Sequence, residues 1–150
     1  MRAVIQRVRR AQVTIDGAIE ASIKHGFLVL LGVTEVDTQE DADWLSSKIA
    51  GLRAFSDEAG AMNLNLDQVA GEVIVVSQFT LYASTKKGNR PSFLKAAKPE
   101  MAIPLYEYFV QMLKTKIQGK VGTGKFGADM QVELVNDGPV TLQIDTQHKE

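Results

Sequence analysis

The stretch that decides the fold is VIVVSQFTL, residues 73–81, in which an unbroken run of valine and isoleucine leads directly into polar side chains. Such a run is typical of a strand that is buried on both faces. Polar groups at the end of a buried strand are well placed to line a pocket. We therefore predict a strand over Glu72–Tyr82 with a pocket at its end, and the candidate catalytic residues are Ser77, Gln78, Phe79 and Thr80.

A second group of turn-forming residues lies near the end of the chain, in the stretch NDGPVT, residues 136–141. Asparagine, aspartate, glycine and proline all favour turns. Strands are predicted on either side of this turn, over Met130–Val135 and Val140–Asp145. Taken alone, this stretch could be an ordinary loop. Residues 77–81, taken alone, could be a strand end whose polar groups are hydrogen-bonded within the fold.

Alternating apolar and polar residues predict further strands in the first part of the chain. Asp16-Gly17 is a hairpin signal between two of these strands. A continuous apolar run makes the last of them a fully buried strand. The predicted strands are Met1–Val8, Ala11–Ile15, Ala18–Ile23 and Gly26–Val33.

Two helices are predicted between the strands. Asp41 follows Thr38 by three residues, which is a helix-capping pattern, and apolar residues then recur at helical spacing over about Gln39–Ala54. The second helix should begin near Pro99, because proline suits the first turn of a helix. Its predicted buried face consists of Met101, Leu105, Tyr108, Met112 and Ile117.

The predicted fold class is α+β, because strands outnumber helices and hairpins cannot build a doubly wound parallel sheet. We expect mostly antiparallel sheet in a barrel-like, layered β-β-α sandwich that the two main helices cover. A chain of 150 residues without a linker or low-complexity segment is expected to form a single domain, residues 1–150.

Composition excludes several classes of protein. The absence of cysteine excludes disulfides, thiolate metal sites and a cysteine nucleophile, and it leaves the cytoplasm as the expected location. The start of the chain is too often interrupted by charges for a secretory signal, and Gly26–Val33 is too short to span a bilayer. We expect no membrane association. A net charge of −1 argues against a protein that coats nucleic acid, and no DNA partner is expected.

Five basic residues are concentrated in one segment that contains no acidic residue. These residues are Lys86, Lys87, Arg90, Lys95 and Lys98. A solvated loop is the simpler explanation. Binding of phosphate groups is the alternative.

Other patterns predict no metal site, no cofactor and no general base. Gly119–Lys125 has the glycine and lysine spacing of a phosphate-binding loop, but Phe126 replaces the Mg²⁺-binding hydroxyl residue and a predicted helix precedes the stretch. His25 and His148 are the only histidines, and neither lies in a metal-binding or triad pattern. No pair of carboxylates marks an acid and a base.

Taken together, residues 77–81 and 136–141, their separation and the chain length resemble the D-aminoacyl-tRNA deacylases, also called D-tyrosyl-tRNA deacylases, over essentially the whole chain. The resemblance implies a homodimer with cross-subunit active sites. It further implies hydrolysis of the ester between a D-amino acid and the 3′-terminal adenosine of tRNA, with rejection of L-aminoacyl esters. Glycyl-tRNA, which has no side chain to reject, should be a substrate as well.

Catalysis by a serine or threonine normally requires an adjacent base, and neither Ser77 nor Thr80 has one nearby in sequence. The resemblance favours a mechanism in which the neighbouring ribose hydroxyl of the substrate activates the attacking water. Backbone N–H groups near Phe79 and Thr80 would then polarise the ester carbonyl. Thr80 as a covalent nucleophile is the alternative.

Chiral selection is assigned by the same resemblance to the second stretch. Gly138 and Pro139, joined by a cis peptide bond, would direct two backbone carbonyl oxygens at the α-carbon of the substrate. Arg7 would hold that turn, or else be an ordinary strand residue. The carbonyl of Phe126 would help to bind the amino group. Asn136 and Thr141 are also assigned to chiral selection. Lys86, Lys87 and Arg90 are assigned to binding of tRNA phosphates.

Two other functions remain open at this point. In the first, Phe79, Phe93 and the basic segment form a non-catalytic RNA-binding module that holds a single-stranded end. In the second, the chain is a small-molecule esterase that uses Thr80 and does not require tRNA. Substrate truncation separates the three functions, because only a proofreading deacylase requires the terminal adenosine.

Overall fold

Eight strands and two α-helices make up the chain, and the computed structural model describes all of residues 1–150. In chain order the elements are β1 (Arg2–Ile15), β2 (Ala18–Ile23), β3 (Gly26–Gly32), α1 (Gln39–Ala50), β4 (Phe55–Ser56), β5 (Met62–Leu64), β6 (Glu72–Ser77), α2 (Pro99–Lys116), β7 (Val121–Thr123) and β8 (Gln131–Asp145). Two short 3₁₀ turns lie at Asp67–Val69 and Phe79–Tyr82. This content confirms the α+β class predicted from the sequence.

The main sheet is mixed, with the strand order β2-β1-β3-β6-β7 and with β8 paired to the other edge of β1. The pairings of β1 with β2, β3 and β8 are antiparallel, as predicted, whereas β6 runs parallel to both β3 and β7. Parallel neighbours need a long crossover connection. The two helices supply it, because α1 lies between β3 and β6 and α2 lies between β6 and β7.

β1 is one continuous strand and not the two strands predicted from the sequence. Its pairing with β8 shifts register near Arg9 and Arg10, whose side chains are exposed. Ala3 and Ile5, which precede the shift, pack in a core cluster of 23 buried residues beneath the helices. Val8 and the apolar residues after the shift pack in a smaller cluster of 8 residues. The irregularity therefore lets one strand contribute to two cores.

The first helix begins as predicted, and the Asp41 carboxylate accepts hydrogen bonds from the Thr38 backbone N–H at 2.9 Å and from the Thr38 hydroxyl at 3.1 Å. It ends at Ala50 and not at Ala54, because Gly51 makes the last helical hydrogen bond, to Ser47. The extended chain that follows brings Ala54 and Phe55 into the core.

The second helix starts at Pro99 as predicted, but the predicted buried face is wrong in part. Its buried residues are Ala102, Leu105, Tyr106, Phe109, Val110 and Leu113. The Tyr106 hydroxyl reaches through the core to donate to the Val75 carbonyl at 2.8 Å, whereas the Tyr108 hydroxyl donates to Asp43 near the surface. Met101, Tyr108 and Met112 therefore lie at the margin of the buried face. Neither helix is sufficiently long and apolar to cross a membrane.

Candidate active site

The first polar motif lies at the end of β6, as predicted, but the strand stops at Ser77 and does not continue to Tyr82. The Gln78 N–H makes the last bond to the neighbouring strand, donating to the Leu31 carbonyl at 2.8 Å. The chain then folds into the 3₁₀ turn Phe79–Tyr82. This turn leaves Phe79 54% exposed at the end of the sheet.

Ser77, Gln78 and Phe79 line a cleft of about 310 Å³. The opposite wall is the segment Phe126–Met130, which connects β7 to β8, and Val76 and Val132 contribute apolar surface. Phe126 packs edge-on against Tyr106 of the core, with 6.1 Å between the ring centroids. The structure thus brings the first motif together with Phe126 in one cleft.

Thr80 is connected to this cleft through Gln78, whose side-chain amide donates a hydrogen bond to the Thr80 hydroxyl. No carboxylate, imidazole or amine forms a hydrogen bond with that hydroxyl. A threonine nucleophile is normally activated by an adjacent base. The Thr80 hydroxyl has no such partner in the folded chain.

The second motif is a bulge within β8 and not a turn between two separate strands. Gln6 pairs with Thr141 and Val8 pairs with Asn136, so that residues 137–140 lie opposite Arg7 alone. The peptide bond between Gly138 and Pro139 is cis, and Gly138 has a φ of 138°. A Cβ at Gly138 would lie 2.8 Å from Val140 Cγ2 and 3.2 Å from Arg7 Nη2. Only glycine fits this position without displacing its neighbours.

Side chains at the ends of the bulge close it from within. The Asn136 carboxamide accepts from the Val140 N–H at 2.9 Å and donates to the Thr141 hydroxyl at 3.2 Å. Gly138 and Pro139 are exposed at its tip. Neither residue lines the cleft at the end of β6. Within one chain the two motifs are therefore separate.

Arg7 holds the bulge from below. Its side chain is buried, with 8% of the residue exposed, and Nε donates to the Asp137 carbonyl at 2.9 Å while Nη1 donates to the Ala54 carbonyl at 2.7 Å. The Asp137 carboxylate also lies 3.5 Å from Arg7 and 3.2 Å from the exposed Arg9. A planar guanidinium can serve two carbonyls in this way because its donors have a fixed fork geometry.

The predicted phosphate-binding residues Lys86, Lys87 and Arg90 lie on an exposed loop that follows the first motif. Backbone hydrogen bonds between Ser84 and Ser92, at 2.8 and 2.9 Å, close the base of this loop. None of the three cations takes part in an ion pair. Their charges are therefore free to meet an anionic ligand.

Sequence reasoning missed Arg2 as a residue that contacts the first motif. Arg2 Nη1 donates to the Leu81 carbonyl at 3.0 Å, Nε donates to Asp145 at 2.8 Å, and the guanidinium lies 4.6 Å from the centre of the Tyr82 ring. Burial would raise the pKa of Asp145, but the hydrogen bond from Arg2 and other favourable contacts outweigh burial and lower it. No local signal in the sequence marks Arg2, because β1 contains three further arginines.

Gly127–Met130, the other part of the cleft wall, was also missed. Nothing in the local pattern of this segment marks it. It faces the first motif only because β7 and β6 are neighbours in the sheet.

Comparison with known proteins shows to which family the chain belongs. The family model described as D-Tyr-tRNA(Tyr) deacylase matches residues 4–145. The chain belongs to this family. Proteins named D-aminoacyl-tRNA deacylase from Phocaeicola vulgatus and Cytophaga hutchinsonii are each 60% identical to it over 150 residues, which cover 100% of both chains. The family and the hydrolase class predicted from the sequence are thereby confirmed.

Solved structures of other proteins share the fold. The structure titled c-Myc DNA Unwinding Element Binding Protein has a TM-score of 0.91 and 41% sequence identity, covering 97% of this chain and 98% of its own. A structure described as a probable eukaryotic D-amino acid tRNA deacylase has a TM-score of 0.79 at 15% identity, covering 95% and 97% of the two chains. At that identity the second similarity concerns the fold alone.

Proposed function

We propose that residues 1–150 form a single D-aminoacyl-tRNA deacylase domain, which hydrolyses the ester between a D-amino acid and the 3′-terminal adenosine of tRNA. One observation carries the proposal: in a chain of this family, the cleft beside Phe79 is lined by the polar residues Ser77 and Gln78, and its one ionisable lining residue, Asp129, makes no hydrogen bond to Ser77 or Thr80. Its volume of about 310 Å³ is near the lower end of the roughly 300–1,000 Å³ typical of small-ligand sites, which suits a nucleoside.

Water activation in this proposal comes from the substrate. The ribose hydroxyl beside the ester orients and activates the attacking water, and the protein holds the substrate in the reactive position. Ser77, Gln78, Phe79 and Thr80 receive the terminal adenosine, while backbone N–H groups at Phe79 and Thr80 polarise the ester carbonyl. The hydrogen bond from Gln78 to Thr80 supports this role, because it gives the Thr80 hydroxyl a donor and not a base.

Chiral selection requires a second subunit in this proposal. Gly138 and Pro139 are exposed and lie outside the cleft of their own chain, so they would enter the cleft of a partner copy. There, their carbonyl oxygens would hold the α-ammonium group and exclude an L side chain, and the Phe126 carbonyl would assist. The outer edge of β8 has no strand partner within the chain, which leaves it available to a homodimer.

Exclusion by backbone atoms has a consequence for glycine. A glycyl ester carries no side chain that could collide with the bulge, so glycyl-tRNA is a substrate as well. The bulge keeps its shape because Arg7, Asn136 and Thr141 hold it.

The tRNA body is held by charge in this proposal. Lys86, Lys87 and Arg90 contact phosphates of the acceptor end without reading sequence, because a proofreading enzyme must accept many tRNAs. The expected nucleic acid is RNA and not DNA, and the expected location is the cytoplasm, where aminoacyl-tRNA is used.

The test is single-turnover deacylation of matched D-tyrosyl-, L-tyrosyl- and glycyl-tRNA, with spontaneous hydrolysis subtracted. Fast loss of the D-ester and the glycyl ester, with little effect on the L-ester, is the expected result. Equal rates for D and L would indicate an unselective esterase, and a free D-tyrosine ester would then be cleaved equally well. Absence of any acceleration, with tRNA still bound, would indicate an RNA-binding module.

A further inference from the structure

Phe79 is an unusual cleft residue because it is a large apolar residue that lies 54% exposed, on a 3₁₀ turn. The one aromatic ring that it contacts is Phe93, at 5.1 Å between centroids and an angle of 75° between ring planes. An edge-to-face contact of this kind favours one orientation of the ring. The contact with Phe93 therefore restricts the orientations in which Phe79 can face the cleft.

Phe93 directly follows a loop whose two ends are joined by hydrogen bonds. Ser84 and Ser92 exchange two backbone hydrogen bonds, so residues 85–91 form a loop whose ends meet directly before Phe93. On the other side, the Ala97 N–H donates to the Val33 carbonyl at 2.9 Å, and the Thr34 hydroxyl donates to the Lys95 carbonyl. Phe93 thus lies between two points at which the chain is fixed.

The loop closed by Ser84 and Ser92 carries Lys86, Lys87 and Arg90, all exposed and without ion-pair partners. Phe93 is adjacent to the base of this loop in sequence and touches Phe79 in space. The cationic loop and the exposed aromatic ring are therefore parts of one connected unit. A single-stranded polynucleotide matches both parts of this unit. Its phosphates can bind the cationic loop, and its terminal base can stack on the exposed aromatic ring.

We propose that Phe93 is a positioning residue that orients Phe79 for the terminal base of an RNA strand while the loop before it holds the preceding phosphates. The inference rests on the proposed function, since it takes the 3′ end of tRNA as the occupant of the cleft. It assigns Phe93 no contact with the reacting ester. The effect of Phe93 is on the position of Phe79 and on the coupling between phosphate binding and base stacking.

Binding of a short RNA that ends in CCA, carries no amino acid and is labelled with a fluorophore at its 5′ end measures this role without catalysis. Phe93→Ala should raise Kd about threefold to tenfold, because the aromatic pair is removed. Phe93→Tyr, which keeps the ring, should bind as the wild type does. Leu94→Ala is the matched control, because Leu94 is the next residue and is 93% exposed. An unchanged Kd for Phe93→Ala, or an equal loss in Leu94→Ala, would overturn the proposal.

A double-mutant cycle tests whether Phe93 acts through Phe79. When Phe79 is present, Phe93→Ala should lower kcat/KM for D-tyrosyl-tRNA by about threefold to tenfold. In the Phe79→Ala background, the same change should lower kcat/KM by much less. Fully additive losses would contradict the positioning role. If the wild type cleaves no D-tyrosyl-tRNA, the proposed function is overturned. The RNA-binding measurement still decides the positioning role of Phe93 in that case.

Discussion

Arg7 donates a hydrogen bond to the backbone carbonyl of Asp137 across 130 positions of sequence, at 2.9 Å. The same guanidinium donates to the Ala54 carbonyl at 2.7 Å, so one buried side chain joins the bulge of β8 to the chain that follows α1. The backbone of Asp137, and with it the exposed tip at Gly138, is positioned by Arg7 and not by the turn residues alone.

Replacement of Arg7 by alanine should cost both stability and chiral selectivity. Loss of charge-assisted hydrogen bonds to two carbonyls predicts a fall of about 2 kcal/mol in the free energy of unfolding, measured by urea denaturation. The ratio of D- to L-tyrosyl-tRNA deacylation should fall with it. Arg9→Ala is the matched control, because Arg9 contacts only the Asp137 carboxylate and its side chain is 73% exposed, so that about 0.5 kcal/mol or less is expected. Equal effects of the two variants would contradict this account.

Replacement of Gly138 by alanine should displace the bulge. The added Cβ would meet Val140 at 2.8 Å, and the backbone conformation is one that favours glycine. Chiral selectivity should fall because the carbonyls at the tip move, and unfolding should become easier by about 1–3 kcal/mol. Gly60→Ala provides the control, since Gly60 also has a positive φ, of 82°, but open space around it. Selectivity that survives in Gly138→Ala would argue against a steric role.

Thr80→Ala separates the two mechanisms of ester hydrolysis. If the ribose hydroxyl activates water, the single-turnover rate should fall about tenfold or less, whereas loss of a covalent nucleophile would nearly abolish hydrolysis while binding persisted. The complementary change is in the substrate. A tRNA that ends in 2′-deoxyadenosine, with the D-tyrosyl ester on the 3′ oxygen, should react about a hundredfold more slowly or worse. A normal rate with that substrate would exclude the ribose mechanism.

Acid should weaken the contact between Asp145 and Arg2. Burial alone would raise the pKa of Asp145, but the hydrogen bond from Arg2 and other favourable contacts lower it below the ordinary value of 3.8. Because the folded-state pKa is the lower one, the stabilisation is complete above the unfolded-state pKa and is lost as pH falls through the folded-state pKa. Asp145→Asn should reduce the free energy of unfolding by about 1 kcal/mol or less at pH 7, and the gap to wild type should close in strong acid. Urea denaturation at several pH values measures this gap, and a gap that widens in acid would contradict the assignment.

Alanine at Lys86, Lys87 or Arg90 should weaken tRNA binding to a similar degree for every tRNA. Removal of one cation that binds a phosphate should reduce the slope of log Kd against log salt concentration by about 0.7, the value for single strands. Lys114→Ala, which removes an exposed lysine on α2, provides the control. An unchanged slope in all three loop variants would show that the loop does not bind phosphates.

Sequence alone predicted the elements whose signals are local. The apolar runs at Gly26–Val33 and at residues 73–76 are buried central strands, because strands covered on both faces need apolar residues at every position. Asp16-Gly17 forms the predicted hairpin turn, with positive φ at both residues, and Pro99 begins the second helix. The resemblance to the deacylases depended on two such local stretches, and it named the family correctly.

Tertiary structure alone decided the features that depend on distant contacts. β1 is continuous because β8 pairs with it on both sides of the irregularity near Arg9. The buried face of α2 keeps Leu105 but is centred on Tyr106 and Phe109, which pack in the main core. The cleft exists because the segment Phe126–Met130 is carried beside Ser77 and Phe79 by parallel pairing of β6 and β7. Local propensity acts over a few residues, whereas these positions are set by burial and hydrogen bonds between segments that only the folded chain brings together.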